Sequence, residues 1–126
     1  MTPTFAEVAK ARYILLTTFT KDGRPKPTAV WAAPDGDRLL VHTQEDAWKV
    51  KRIRNTPRVT VAACDIRGRP KGEPVEAVAK VLDKAEAADV QRAITKRYGL
   101  FGRLFDVYLK LSGLDEKSVG VELKAV

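Results

Sequence analysis

The chain has 126 residues, 44% of them hydrophobic and 31% charged, with a formal net charge of +7. That length suits one domain over residues 1–126 with a single core, and the composition excludes a disordered or fibrous chain. The positive field calls for an anionic partner but does not choose among a phosphorylated small molecule, nucleic acid and an acidic membrane surface.

Met1-Thr2-Pro3-Thr4-Phe5-Ala6-Glu7 has neither the basic nor the apolar region of a secretory signal. No stretch approaches the roughly 20 apolar residues that cross a bilayer, so no membrane partner is expected. The single cysteine, Cys64, cannot form an internal disulfide, and no Cys/His cluster has metal-ligand spacing. A reducing cytoplasm is therefore the expected compartment, no metal site is expected, and Cys64 reads as a small core residue.

Residues 13–20 are rich in β-formers and end at Lys21-Asp22-Gly23, whose Asp-Gly pair suits a tight hairpin. A second strand is expected over 27–33, then a turn at Pro34-Asp35-Gly36-Asp37 and a third strand over 38–42. The chain then enters a basic helix that Pro57 ends. Strands follow over 59–64 and 75–82; in the latter Val75, Ala77, Ala79 and Val81 share one face and Glu76 and Lys80 the other. Residues 85–98 carry helical periodicity, Gly99 and Gly102 interrupt it, and 104–111 form another helical stretch ending at Ser112-Gly113. A closing strand over 118–123 makes six, which predicts a mainly β fold: a small antiparallel barrel with peripheral helices.

The segment between the third and fourth strands carries the most chemistry. Thr43 with Asp46 three residues later fits a variant capping box, and the turn beyond it offers unpaired N–H groups at the positive end of the helix dipole. Lys49 stands where it can close on a phosphate. The same run, Lys49, Lys51, Arg52, Arg54 and Arg58, also reads as a solvated basic face. A nucleic-acid-binding module is a third reading, but its basic residues would interleave with aromatics along an extended face rather than peak in one helix. No Walker or dinucleotide-binding glycine pattern is present. The sole histidine, His42, is either a partly buried strand-end residue or a neighbour of a bound ring or phosphate, with a general acid as the further option. Lacking a hydrolase's side chains, the chain points to a reaction carried by a cofactor. Tyr98, Phe101, Phe105 and Tyr108 are either core or a hydrophobic wall for an apolar substrate.

Asp22-Gly23-Arg24-Pro25, Thr28-Ala29-Val30-Trp31, Val41-His42-Thr43 and the run from Lys49 to Val59 resemble the flavin-binding split β-barrel superfamily, which includes pyridoxamine 5′-phosphate oxidase. The short chain, the Lys-x-Lys-Arg-Ile-Arg-Asn run and Ala63-Cys64-Asp65 are most similar to its actinobacterial deazaflavin-dependent branch, which uses coenzyme F420. The resemblance covers the chain from about Phe5 to Leu123. It implies a six-stranded antiparallel split β-barrel that forms a homodimer, with cofactor sites at the subunit interface. Val59, Val61, Val75 and Val78 would gain by burial between the two subunits.

Residue by residue, the resemblance implies that Lys49 and Thr43 hold the cofactor phosphate and that Thr28, Ala29, Val30 and Trp31 line its ring. Lys51, Arg54 and Arg58 would meet its acidic tail. Trp48 stands where relatives usually carry a small residue or an arginine, and it would stack on Arg52 or roof the site. The carboxy-terminal Arg/His motif of true pyridoxamine phosphate oxidases is absent, so that reaction is not expected. The implied activity is hydride transfer from the reduced deazaflavin to an electron-poor C=C or C=N bond of a small, apolar, conjugated substrate. An FMN oxidoreductase or flavin carrier of the same fold is the alternative.

Overall fold

The alternation expected of half-buried strands runs through β1 (Tyr13–Phe19), where Ile14, Leu16 and Thr18 are buried and the residues between them half-buried. The computed structural model describes residues 3–126; Met1 and Thr2, which open the domain expected over 1–126, lie outside the described residues. A short helix, α1 (Phe5–Ala9), precedes β1, and Thr4 caps it by accepting the Glu7 N–H at 3.2 Å. The other strands are β2 (Pro25–Val30), β3 (Ala32–Asp35), β4 (Arg38–Gln44), β5 (Arg58–Cys64), β6 (Val75–Val81) and β7 (Ser118–Ala125). The other helices are α2 (Trp48–Asn55) between β4 and β5, and α3 (Ala87–Tyr98) with α4 (Leu100–Ser112) between β6 and β7.

The strands form one antiparallel sheet in the order β2-β1-β5-β6-β7-β4-β3. Its two edges, β2 and β3, are consecutive in sequence, with only Trp31 between them. Val30 and Ala32 can stand no more than about 7 Å apart, whereas seven flat strands would set the edges about 29 Å apart. The sheet therefore curls until its edges meet at Trp31, giving an antiparallel split barrel. Pro25, Pro27 and Pro34 all fall in these edge strands, where a missing N–H disrupts least.

The fold corrects the expected six strands to seven, because the run 27–33 is two strands broken at Trp31. No side chain caps α2: its N-cap is Ala47, Thr43 is paired with Val119 inside β4, and Asp46 lies 3.9 Å from Lys117 Nζ. Gly102 does not interrupt a helix, since α4 runs through it; the break is at Gly99, whose φ of 60° and ψ of −126° suit glycine alone. Val59 and Val61 are fully buried within the chain, and Val75 half-buried, leaving Val78 as the exposed member of the four valines expected at an interface.

Inside the barrel, Ile14, Leu16, Leu39, Val41, Val59, Val61, Val121 and Leu123 pack together with Ile53 of α2 and Val8 of α1. A second cluster lies outside the sheet, where Val90, Ile94 and Tyr98 of α3 cover Ala33 and Leu40. Cys64 is buried, as expected of a small core residue. β4 thus buries both faces, with Leu39 and Val41 inward and Leu40 under α3. That arrangement places the intervening His42 on the outer, helix-covered side.

The seam at Trp31 is fastened by α3. The Ala32 N–H donates to the Tyr98 hydroxyl at 3.1 Å, and that hydroxyl donates to the Arg12 carbonyl at 2.6 Å. Trp31 and Tyr98 stack with ring centroids 4.6 Å apart. Arg97 donates to the carbonyls of Ala32, Ala9, Lys10 and Ala11, tying the seam to the end of α1. Replacing Tyr98 with Phe keeps the stack but leaves buried backbone groups unpaired. Tyr98→Phe should lower stability by about 1–3 kcal/mol, read as a reduced urea midpoint with an unchanged slope.

Candidate functional site

Beside the seam, Ala29, Val30, Trp31, His42, Lys49, Ile94 and Phe105 line a pocket of about 270 Å³. β2 supplies the first two residues from a sheet edge, whose outward N–H and C=O groups have no strand partner. β4 supplies His42, α2 supplies Lys49, and α3 and α4 close the pocket with Ile94 and Phe105. The aromatic wall is continuous: Phe105 meets Trp31 edge-on at 5.8 Å and His42 at 5.9 Å, and Tyr108 stacks on Phe105 at 6.4 Å.

Among the described residues that line the pocket, Lys49 is the one lysine or arginine. Burial pushes its pKa below the ordinary lysine range, and neighbouring Arg52 adds to the shift. No carboxylate among the described residues forms an ion pair with it. A desolvated cation left unpaired costs free energy that an incoming anion would recover. Lys49 is also the second residue of α2, whose first turn has no side-chain cap, so the helix start adds its own positive potential.

His42 Nε2 lies 2.8 Å from Ser118 Oγ, across the β4–β7 pair. Burial pulls its pKa below the usual histidine value; Asp106 opposes this and Lys49 reinforces it. The folded protein therefore favours the neutral imidazole, which suits a hydrogen-bonding neighbour better than a cationic acid.

The structure gathers Ala29, Val30, Trp31, His42 and Lys49, and the aromatic wall brings in Phe105. It does not gather the other residues. Thr28 is half-buried in β2 opposite Leu16 and does not line the pocket. Thr43 is buried, and strand alternation sets it on the barrel side of β4, facing away from His42. Trp48 is 70% exposed and carries Lys51 Nζ 4.5 Å above its ring. It does not stack on Arg52, because Arg52 Nε donates to Thr18 Oγ1 at 2.7 Å. Arg54 lines a separate surface depression beside β6, and Arg58 pairs with Glu76 at 3.0 Å. Sequence reasoning missed Ser118, which gives no local sign of contact with a histidine 76 positions away.

Residues 1–118 match the family described as Pyridoxamine 5′-phosphate oxidase. The chain belongs to this family. Among solved structures it is similar to the conserved hypothetical protein Rv2991 of Mycobacterium tuberculosis, at 24% identity, covering 99% of this chain and 82% of that one with a TM-score of 0.71. It is similar also to HutZ, the heme storage protein of Vibrio cholerae, at 15% identity over 96% and 87% of the two chains with a TM-score of 0.67. A protein named F420 reductase is 18% identical over 100% and 96%, with a TM-score of 0.64. At these identities the structural likenesses show the fold that the family shares. No curated protein matches the chain. Among the described residues, no helix is long and apolar enough to cross a membrane, and no three His, Cys, Asp or Glu side chains converge on a metal site.

The pKa of His42 gives a signed test. Because the folded state holds it below the unfolded value of about 6.5, the unfolded chain binds more protons as pH falls through that range. Its contribution is present above the unfolded pKa and is lost toward the lower folded value. The urea midpoint should drop between about pH 7.5 and about pH 5.5, and His42→Gln should flatten the drop.

Proposed function

We propose that this family member is an oxidoreductase that binds coenzyme F420 in the seam pocket and transfers hydride to an electron-poor C=C or C=N of a small, apolar, conjugated substrate. The observation that carries the reading is Lys49, a half-buried cation without an anionic partner among the described residues, set beside an edge strand and an aromatic wall. These residues fit a phosphorylated planar ring. Lys49 would hold the phosphate, the free backbone edge at Ala29 and Val30 would read the ring's polar rim, and Trp31 and Phe105 would exclude water. When bound, the deazaflavin supplies the hydride at its C5 position.

The protein's own part is positioning. Neutral His42, oriented by Ser118, offers a hydrogen bond to ring or substrate, and the balancing proton is drawn from water. A pocket of about 270 Å³ falls short of a whole cofactor, which favours a homodimer whose second subunit completes the site. The exposed apolar row Leu104, Tyr108 and Leu111 on α4, next to Phe105, offers such a subunit a seat. A small soluble enzyme of the cytoplasm remains the expected setting.

FMN is the second reading, and one observation favours it. Lys51, Arg54 and Arg58, expected on an acidic tail, do not converge on the pocket, and FMN has no such tail. Fluorescence titration of the purified protein with oxidised F420 and with FMN separates the two. Saturable F420 binding is expected, weakened on the order of 10- to 100-fold by Lys49→Ala through loss of a charge-assisted bond. Tight FMN binding without F420 binding would overturn the preferred reading, and full affinity in the variant would remove Lys49 from the site.

A further inference from the structure

The contact between His42 and Ser118 follows from the strand register. Gly120 of β7 stands opposite His42 of β4 and has no side chain, so the imidazole reaches along the same face to Ser118, the diagonal neighbour two residues away. Gly120 is held by α3: a Cβ there would stand 2.6 Å from Val90 Cγ2. The helix packing that demands a glycine thus turns the ring toward a hydroxyl.

The two ring nitrogens differ in setting. Nε2 lies 2.8 Å from Ser118 Oγ, whereas Nδ1 makes no hydrogen bond among the described residues. Nδ1 is nevertheless open to a ligand. The sealed side-chain nitrogen and oxygen atoms without a partner among the described residues are Gln44 Oε1 and the two Gln91 amide atoms, and Nδ1 is not one of them. Burial and nearby Lys49 favour the neutral ring, with Asp106 opposing them. A neutral imidazole carries one N–H and one lone pair, and a serine hydroxyl can serve the lone pair as donor. With Ser118 donating to Nε2, the ring's single N–H stands at Nδ1, in a residue that lines the seam pocket beside Lys49.

We infer that Ser118 fixes His42 as the Nδ1–H tautomer, so that the neutral ring donates a hydrogen bond to a substrate oxygen that gains negative charge in the seam pocket. The inference rests on the hydride-transfer reading of that pocket and narrows its substrate to a C=C bond conjugated to a carbonyl. Hydride, with its electron pair, adds to the far carbon of the C=C bond; the π electrons shift, and the carbonyl oxygen becomes an enolate oxygen. Nδ1–H stabilises that oxygen without giving up its proton. Water then protonates the carbon next to the carbonyl. The substrate has gained one hydride from the reduced deazaflavin, which is thereby oxidised, and one proton from water. His42 touches the substrate; Ser118 acts through His42 as a positioning residue.

His42 is the sole histidine, so the ¹⁵N spectrum of the cofactor-free protein at about pH 8 contains one neutral imidazole. The proton is expected mainly on Nδ1 in the wild type and in Ser118→Thr, and mainly on Nε2 in Ser118→Ala. A second measurement titrates the same protein with 4-nitrophenolate, a planar conjugated oxyanion, and with 4-nitrotoluene, which lacks the oxygen. The oxyanion should bind more tightly by about tenfold or more. Ser118→Ala should weaken its binding about three- to tenfold, and Ser118→Thr should restore it. A wild-type ring protonated mainly on Nε2, an unchanged tautomer or full oxyanion affinity in Ser118→Ala, or equal binding of the two compounds would each overturn the inference. Neither measurement uses the cofactor, so a failure to bind F420 alongside these expected results would count against the hydride-transfer reading alone.

Discussion

The structure depends on a covalent constraint: one residue, Trp31, separates the two edge strands of a seven-stranded sheet. The peptide chain cannot stretch from edge to edge across a flat sheet, so closure is imposed before any side chain is considered. Side chains then decide how the seam is held. Tyr98 and Arg97 supply the hydrogen bonds that a continuous strand ladder would have provided around Ala32, and Trp31 packs on Tyr98. The same closure leaves β2 with an unpaired outer edge beside a pocket, so the feature that makes the barrel also makes the pocket.

α2 connects the two. Its inward residues Val50 and Ile53 are buried, with Ile53 in the barrel core, and Arg52 bonds Thr18 from the barrel-facing row of β1. Lys49, one turn before Arg52 and Ile53, shares that face at 100° per residue, so it too is turned against the body of the protein, where it lines the seam pocket. The basic run is thus not one surface. Arg52 is structural, Lys51 rests on exposed Trp48, Arg58 pairs with Glu76, and Lys49 enters the pocket unpaired. Four similar side chains in one short segment take four roles, and packing rather than charge sorts them.

That sorting explains what was legible in the sequence. Residues 13–20, rich in β-formers, and residues 75–82, whose alternation is local, could be read directly as strands. The break at Trp31 could not, because nothing in the run 27–33 opposes a continuous strand; the break comes from closing a sheet whose neighbours lie far apart in sequence. The capping signal was present but misplaced. Thr4 with Glu7 caps α1, which is only five residues long and too short to show periodicity, while the similar Thr43 and Asp46 pair lost to the register of β4, where Thr43 completes a ladder with Val119. Of the pocket lining, Lys49, His42 and the Ala29–Trp31 segment were singled out in the sequence together with Thr28 and Thr43, which lie outside the pocket, whereas the Ser118 contact depends on a strand pairing that only the fold reveals.

Buried polar groups in this molecule divide by whether their needs are met. Arg97 spends its guanidinium on four carbonyls and Tyr98 its hydroxyl on the seam, so removing either harms the fold and offers nothing to a ligand. Lys49 and Gln91 are nearly as enclosed, yet the first lacks an anion and the second both of its hydrogen bonds. Both lower the stability of the fold, since apolar residues of similar volume would be buried at lower cost. The two differ in reach: the Gln91 amide atoms are sealed from solvent, whereas Lys49 lines the seam pocket, so only Lys49 stands where an incoming anion could meet it.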